Sequence, residues 1–201
     1  MLKLPFAYYR NKDVIFLSKD LLGKYLMTKI GSEEITGGMI VETEAYNGIN
    51  DKASHAYSNR RTKRNEMMYA KGGVSYVYVC YGIHCLFNIV TGNVNDPQAI
   101  LVRAIKPIIG FASIMRRRKK DKISYSIASG PGILCQSLGI RLKHNGIPLD
   151  GSQIWVEDRK NKIATENIIA SSRVGVDYAE EDALLPWRFR IKDNPWTSKN
   201  K

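Results

Sequence analysis

Apolar side chains along residues 12–26, KDVIFLSKDLLGKYL, fall at Val14, Ile15, Leu17, Leu21, Leu22 and Leu26. That is helical spacing, and it predicts an amphipathic helix weakened near its end by Gly23. TGGMIVETEAY, residues 36–46, reads as a strand entered through a glycine pair. Residues 47–66 hold turn formers and clustered basic residues, which predicts a long loop. In GGVSYVYVCYGIHCLFNIVTG two β-prone runs flank Tyr81-Gly82, predicting a β-hairpin with an aromatic residue at its tip. AILVRAIKP predicts a strand closed by Pro107, and FASIMRRRKKDK a helix with its cations at the C-terminal end. SGPGILCQSLGI predicts a helix capped by Ser129, with Pro131 in its first turn and Gly139 as its stop. WRFRI adds a last strand. Strands and helices mix without regular βαβ alternation, so the fold class is α+β (mixed α/β) with a mainly antiparallel sheet.

Composition narrows the partner. The chain has 201 residues, 44% of them hydrophobic, enough for one domain with a single large core. Lys and Arg number 31 against 19 acids, a net charge of +12, which points to a polyanion. Nucleic acid ranks above a membrane surface, because no Lys/Arg-rich segment carries a bulky apolar face. No run is long enough to span a bilayer, and MLKLPFAYYRNKD lacks a signal-peptide pattern, so an intracellular location is expected. Three cysteines, Cys80, Cys85 and Cys135, with no CxxC, fit a reducing compartment rather than a disulfide framework.

Candidate chemistry concentrates on the strand and the hairpin. In VETEAY, Glu42, Glu44 and Tyr46 share one face, opposite Val41, Thr43 and Ala45. Enclosed together, two such carboxylates raise each other's pKa and supply a candidate general base. Facing water, they are ordinary strand glutamates, the commoner arrangement on a half-exposed sheet. Tyr76, Tyr78 and Tyr81 come close on the hairpin, either as cross-strand packing or as a surface for stacking and wedging bases. The loop RRTKR, residues 60–64, can grip phosphates nearby. His55, Cys80, His84 and Cys85 match no standard zinc spacing, so no metal is expected.

Taken in order, GGMIVETEAYNGINDKASHAY, RTKRNEMMY, GVSYVYVCYGIHCLFNIVT, AILVRAIKP, SGPGILCQSLGI and RVGVDYAEEDALLPWRF resemble the alkyladenine family of 3-methyladenine DNA glycosylases. The resemblance covers nearly the whole chain. It implies a single compact domain over residues 1–201, with a curved sheet, flanking helices and a protruding β-hairpin. The implied activity is monofunctional. A damaged purine (3-methyladenine, 7-methylguanine, hypoxanthine or ethenoadenine) is flipped from duplex DNA and its N-glycosidic bond is hydrolysed, leaving an abasic site. By the same resemblance Glu44 is the general base and Arg103 stands beside it and the water. Tyr46, His55, Tyr78 and Asn88 form the base pocket. Tyr81 fills the gap in the duplex, and Thr62, Arg64 and Met68 contact DNA. The resemblance implies no cofactor and a monomer acting on double-stranded DNA. Cys85, where many members carry an aromatic residue, and Gly132-Ile133, where a lysine often follows SGP, depart from the pattern. A binding module of the same fold without chemistry, and an unrelated hydrolase using Glu42 and Glu44 on small nucleosides, are the competing readings.

Overall fold

The computed structural model describes residues 2–30 and 34–199. Nine strands join one antiparallel sheet among the described residues. Its main path begins at β1 (Leu2–Lys3) and passes through β7 (Ile154–Asp158) and β2 (Tyr25–Thr28) to β3 (Thr36–Tyr46). It continues through β6 (Gln98–Ile109) and β5 (His84–Thr91) to β4 (Ser75–Cys80). A branch of β8 (Ile168–Ser171) and β9 (Arg188–Ile191) leaves from β3. Strand β3 is the hub. Its first residues, Thr36–Met39, pair with β2, while Glu42–Glu44 pair with β9, and β6 runs along its other edge. The glycine pair at its start is steric: a Cβ on Gly37 would lie 2.7 Å from the Leu26 carbonyl oxygen, and one on Gly38 would collide with that of Lys106.

The core fills one side of this sheet. Helices α2 (Val14–Asp20), α3 (Phe111–Arg118) and α4 (Pro131–Leu138) bring Leu17, Ile114, Leu134 and Leu138 against Ile40, Phe87, Val102 and Ile105, all removed from water. A fourth, one-turn helix, α1 (Phe6–Tyr9), adds Tyr9. Burial on this scale is the main stabilising contribution, on the order of 1.5–3 kcal/mol for each large side chain.

Two irregularities in the β3–β6 ladder decide what the other side displays. Ile40 faces Ile105 and Glu42 faces Ala104, leaving Val41 as an extra residue on β3. Thr43 then faces Val102, leaving Arg103 as an extra residue on β6. The bulges cancel in register, yet each reverses the inward–outward alternation of its own strand. Ile40 and Ile105 therefore face the core before the bend, and Ala45 and Val102 face it afterwards.

Several expectations change in detail. The first helix stops at Asp20, and Tyr25 and Leu26 belong to β2, because the chain turns through Gly23 at φ +86°. Strand β6 does not close at Pro107; it runs two residues further, to Ile109. Helix α3 ends at Arg118, where Lys119 takes up a left-handed conformation. The N-cap of α4 is Gly130 rather than Ser129, whose hydroxyl instead donates to the Thr197 carbonyl at 3.0 Å. Gly139 is the left-handed C-cap of α4, as the pattern predicts.

Candidate active site

The face of β3 opposite the core carries Glu42, Glu44 and Tyr46, and both carboxylates are fully buried. A water-exposed strand face is excluded. Arg103 enters between the two glutamates from its bulge. Its Nε donates to Glu42 Oε1 at 2.7 Å, and its Nη1 lies 3.2 Å from Glu44 Oε1. Arg188 Nε, on β9, donates to the same Glu42 oxygen at 2.8 Å. Ser198 donates its backbone N–H to Glu42 Oε2 at 2.6 Å and its hydroxyl to Oε1 at 2.7 Å. Burial alone would raise the Glu42 pKa, but Arg103, Arg188 and the Ser198 donors outweigh it and hold the group below the usual carboxylate range. Glu42 is thus a structural anion held by two arginines and a serine.

Glu44 is held differently. Besides Arg103, its Oε1 accepts the Val174 N–H at 2.9 Å, and its Oε2 accepts the Tyr46 hydroxyl at 2.9 Å. Beside the Arg103 ion pair, Oε2 accepts only the Tyr46 hydroxyl and so keeps a site for a further donor. Burial and the neighbouring Glu44 charge raise the Tyr46 pKa, so the phenol keeps its proton and remains a donor.

Above this floor lies a cleft of about 1470 Å³. Tyr46, His55, Tyr78, Asn88 and Arg103 all line it, and Arg64, Met68 and Tyr81 contribute to its walls. Glu44 sits beneath, behind Tyr46, Arg103 and Val174. The His55 ring packs edge-on to Tyr78, with centroids 4.6 Å apart, and His55 Nδ1 is 2.8 Å from the Tyr76 hydroxyl. Burial, then Arg64 and Arg60, lower the His55 pKa to about 4, so the imidazole is neutral near pH 7. Asn88 Nδ2 donates to the Tyr76 carbonyl at 3.1 Å, which fixes the side chain across the hairpin. Arg64 stacks over Tyr78 at 5.3 Å, and Met68 is buried against the cleft wall.

Thr62 stands apart. It lies on the exposed loop outside the cleft, where its N–H and hydroxyl donate to Asn65 Oδ1 at 2.7 and 3.0 Å. Asn65 in turn donates to the His55 and Arg60 carbonyls, so this loop is organised around one buried amide. The hairpin tip is a turn closed by the Ile83 N–H on the Cys80 carbonyl at 3.2 Å. Tyr81 and Gly82 both have positive φ, +51° and +73°, and Tyr81 is 87% exposed.

Several residues that shape the site carry no local signal. Arg173 forms a fully buried pair with Asp51, at 2.6 and 2.8 Å, and stacks on Tyr46 at 4.9 Å. Asp51 also accepts the Asn47 and Ala53 N–H groups, so the pair ties the loop after β3 to the strap that brings Val174 to Glu44. Among the described residues, no three His, Cys, Asp or Glu side chains converge as a metal site would require.

A family profile described as methylpurine-DNA glycosylase matches residues 8–195. A protein of Chlamydia felis, provisionally named a 3-methyladenine DNA glycosylase, is 46% identical over 94% of this chain and 95% of its own length. Similarly named proteins of Clostridium novyi and Desulfitobacterium hafniense are 40% and 39% identical, and each alignment covers nearly all of both chains. The enzyme is accordingly a DNA glycosylase, of α+β architecture. It belongs to the methylpurine-DNA glycosylase family.

Proposed function

We propose that the cleft receives an alkylated or deaminated purine turned out of duplex DNA, and that Glu44 directs a water at its sugar carbon. The observation that carries this reading is the state of Glu44: buried, held by two hydrogen bonds and the Arg103 ion pair, and left with an acceptor site on Oε2 beneath an aromatic cleft. Alkylation at N3 or N7 makes the purine cationic, so it stacks favourably on Tyr46 and Tyr78 and leaves readily. A neutral His55 avoids the repulsion that an imidazolium would exert on such a base. Tyr81, at the exposed hairpin tip, fills the space left in the duplex; unstacking costs a few kcal/mol, least for a damaged pair. Arg103 orients Glu44 rather than acting as an acid. The substrates are 3-methyladenine, 7-methylguanine, hypoxanthine and ethenoadenine, and the product is an abasic site in an uncut strand. The enzyme works inside the cell as a monomer.

Duplex DNA carrying 3-methyladenine or hypoxanthine, incubated with the protein and then heated in alkali, reports each abasic site as a strand break. Wild type should release the base, and Glu44→Gln should slow release by about 10²–10⁴-fold, the usual contribution of a positioned general base. Undiminished release by Glu44→Gln, or none by wild type, would sink the mechanism. Strand breaks before alkali, or a borohydride-trapped adduct through Lys199 at the cleft rim, would refute the monofunctional reading.

A further inference from the structure

Strand β5 separates two cavities. Leu86 and Asn88 face the cleft already described, while Cys85, of opposite alternation, faces a second cavity of about 750 Å³ between the hairpin, α3 and α4. The two meet at His84 and Gly132, which line both. A Cβ on Gly132 would stand 3.0 Å from His84, so glycine there lets α4 close against the hairpin.

The second cavity is strongly basic. Arg116, Arg117, Arg141 and Lys143 line it, and among the described residues no Asp or Glu does. Arg117 is committed to the fold, donating to Thr36 Oγ1 at 3.0 Å and to the Ser137 and Ile30 carbonyls at 3.1 and 3.0 Å. Its neighbours are neutral acceptors. Burial, then Arg116 and Arg141, lower its pKa, while Glu34, itself hydrogen-bonded to Ser113, offsets them only in part. Arg141 and Lys143 stand exposed at the mouth. Like charges held together this way favour an anion, and the cavity adjoins, at His84 and Gly132, the cleft proposed to handle DNA.

We propose that this cavity is a second DNA contact, in which Arg141 and Lys143 hold backbone phosphates of the duplex on the far side of the hairpin from the flipped nucleotide. The assignment rests on the DNA-handling reading of the cleft. With Tyr81 in the duplex, the helix lies across the hairpin, and the two cavities receive its backbone on either side. The contact is sequence-independent, because it engages phosphates and no base edge.

Duplex affinity measured between 50 and 200 mM salt, on undamaged and lesion-bearing DNA, tests the assignment. Neutralising two phosphate contacts lowers the slope of log affinity against log salt by about 1.8, so Arg141→Ala/Lys143→Ala should lose about tenfold less affinity than wild type over that range. Lys160→Ala/Lys162→Ala removes equal charge from an exposed surface outside both cavities and should leave the slope unchanged. An unchanged slope in the first variant, or equal changes in both, would overturn the proposal. So would protection of the cavity by inorganic phosphate with no change in duplex binding, which would mark it as a free-anion site. If wild type released no damaged base, the glycosylase mechanism would fail, yet the slopes on undamaged duplex would still decide this contact.

Discussion

Arg103 and Glu44 face each other across a bend in the sheet, guanidinium to carboxylate at 3.2 Å, with Glu42 on the same arginine at 2.7 Å. One cation thus serves two anions of different purpose. Glu42 is held by Arg103, Arg188 and Ser198, whereas Glu44 shares only Arg103 with it and keeps an acceptor site on Oε2.

The first prediction separates them. Glu42→Gln removes the buried charge that Arg103 and Arg188 share, leaving Arg103 to Glu44, and should destabilise the fold by about 3–5 kcal/mol. For a chain of this size that lowers Tm by roughly 10 °C, measurable by calorimetry. Glu44→Gln should keep its Tm within a few degrees while losing excision. Equal loss of stability in both would mean that the two carboxylates share one structural role.

The second concerns the hairpin tip. A tyrosine at positive φ costs about 1 kcal/mol or more, which glycine would relieve. Tyr81→Gly should therefore raise Tm slightly while weakening duplex binding and slowing excision. Thermal melts beside single-turnover assays read both, and retained activity would count against the wedge.

The third concerns acid. His55 has its pKa lowered to about 4 in the folded protein, from an ordinary value near 6.5. Between those values the unfolded chain binds the extra proton, so stability rises with pH through that window and falls as pH drops from 6.5 to 4. His55→Gln should show a shallower fall of Tm over the same range. The His55 imidazole resonances, assigned by comparison with His55→Gln, should not titrate between pH 5.5 and 8; a midpoint near 6.5 would refute a buried neutral ring.

The fourth concerns the strap behind the site. Asp51→Asn leaves Arg173 buried with a neutral partner and should cost about 3–5 kcal/mol. Because Arg173 stacks on Tyr46 and adjoins Val174, the variant should also slow excision at saturating DNA. Loss of stability with an unchanged rate would confine the pair to the fold.

Much of this was legible locally. The alternation in VETEAY, the Tyr81-Gly82 turn and the Pro131 and Gly139 boundaries of α4 follow from patterns a few residues long. What escaped depends on distance along the chain. Strand β2 was hidden because Leu21, Leu22 and Leu26 continue a helical spacing across the Gly23 turn. Ser198 reaches Glu42 from 156 residues away, and Arg173 reaches Asp51 from 122. No periodicity marks such partners. The true setting of Glu42 followed from them, since two arginines and a serine reverse the mutual repulsion that the strand pattern alone predicts. The RVGVDY segment was noticeable only as part of a resemblance, and its contribution to Glu44 is a backbone N–H that no side-chain pattern encodes.

The paired bulges at Val41 and Arg103 carry a last consequence. Each strand holds one residue more than its neighbour needs, and the two surpluses cancel. Excising one alone would throw the ladder out of phase, turning hydrophobic side chains toward the cleft or charged ones toward the core. Excising both would remove these two shifts and keep the apolar side inward, but would leave Glu42 and Glu44 buried without the guanidinium between them. The arginine thus rides on a one-residue insertion whose phase a second insertion restores, and the charge it carries and the two buried glutamates it serves stand or fall together.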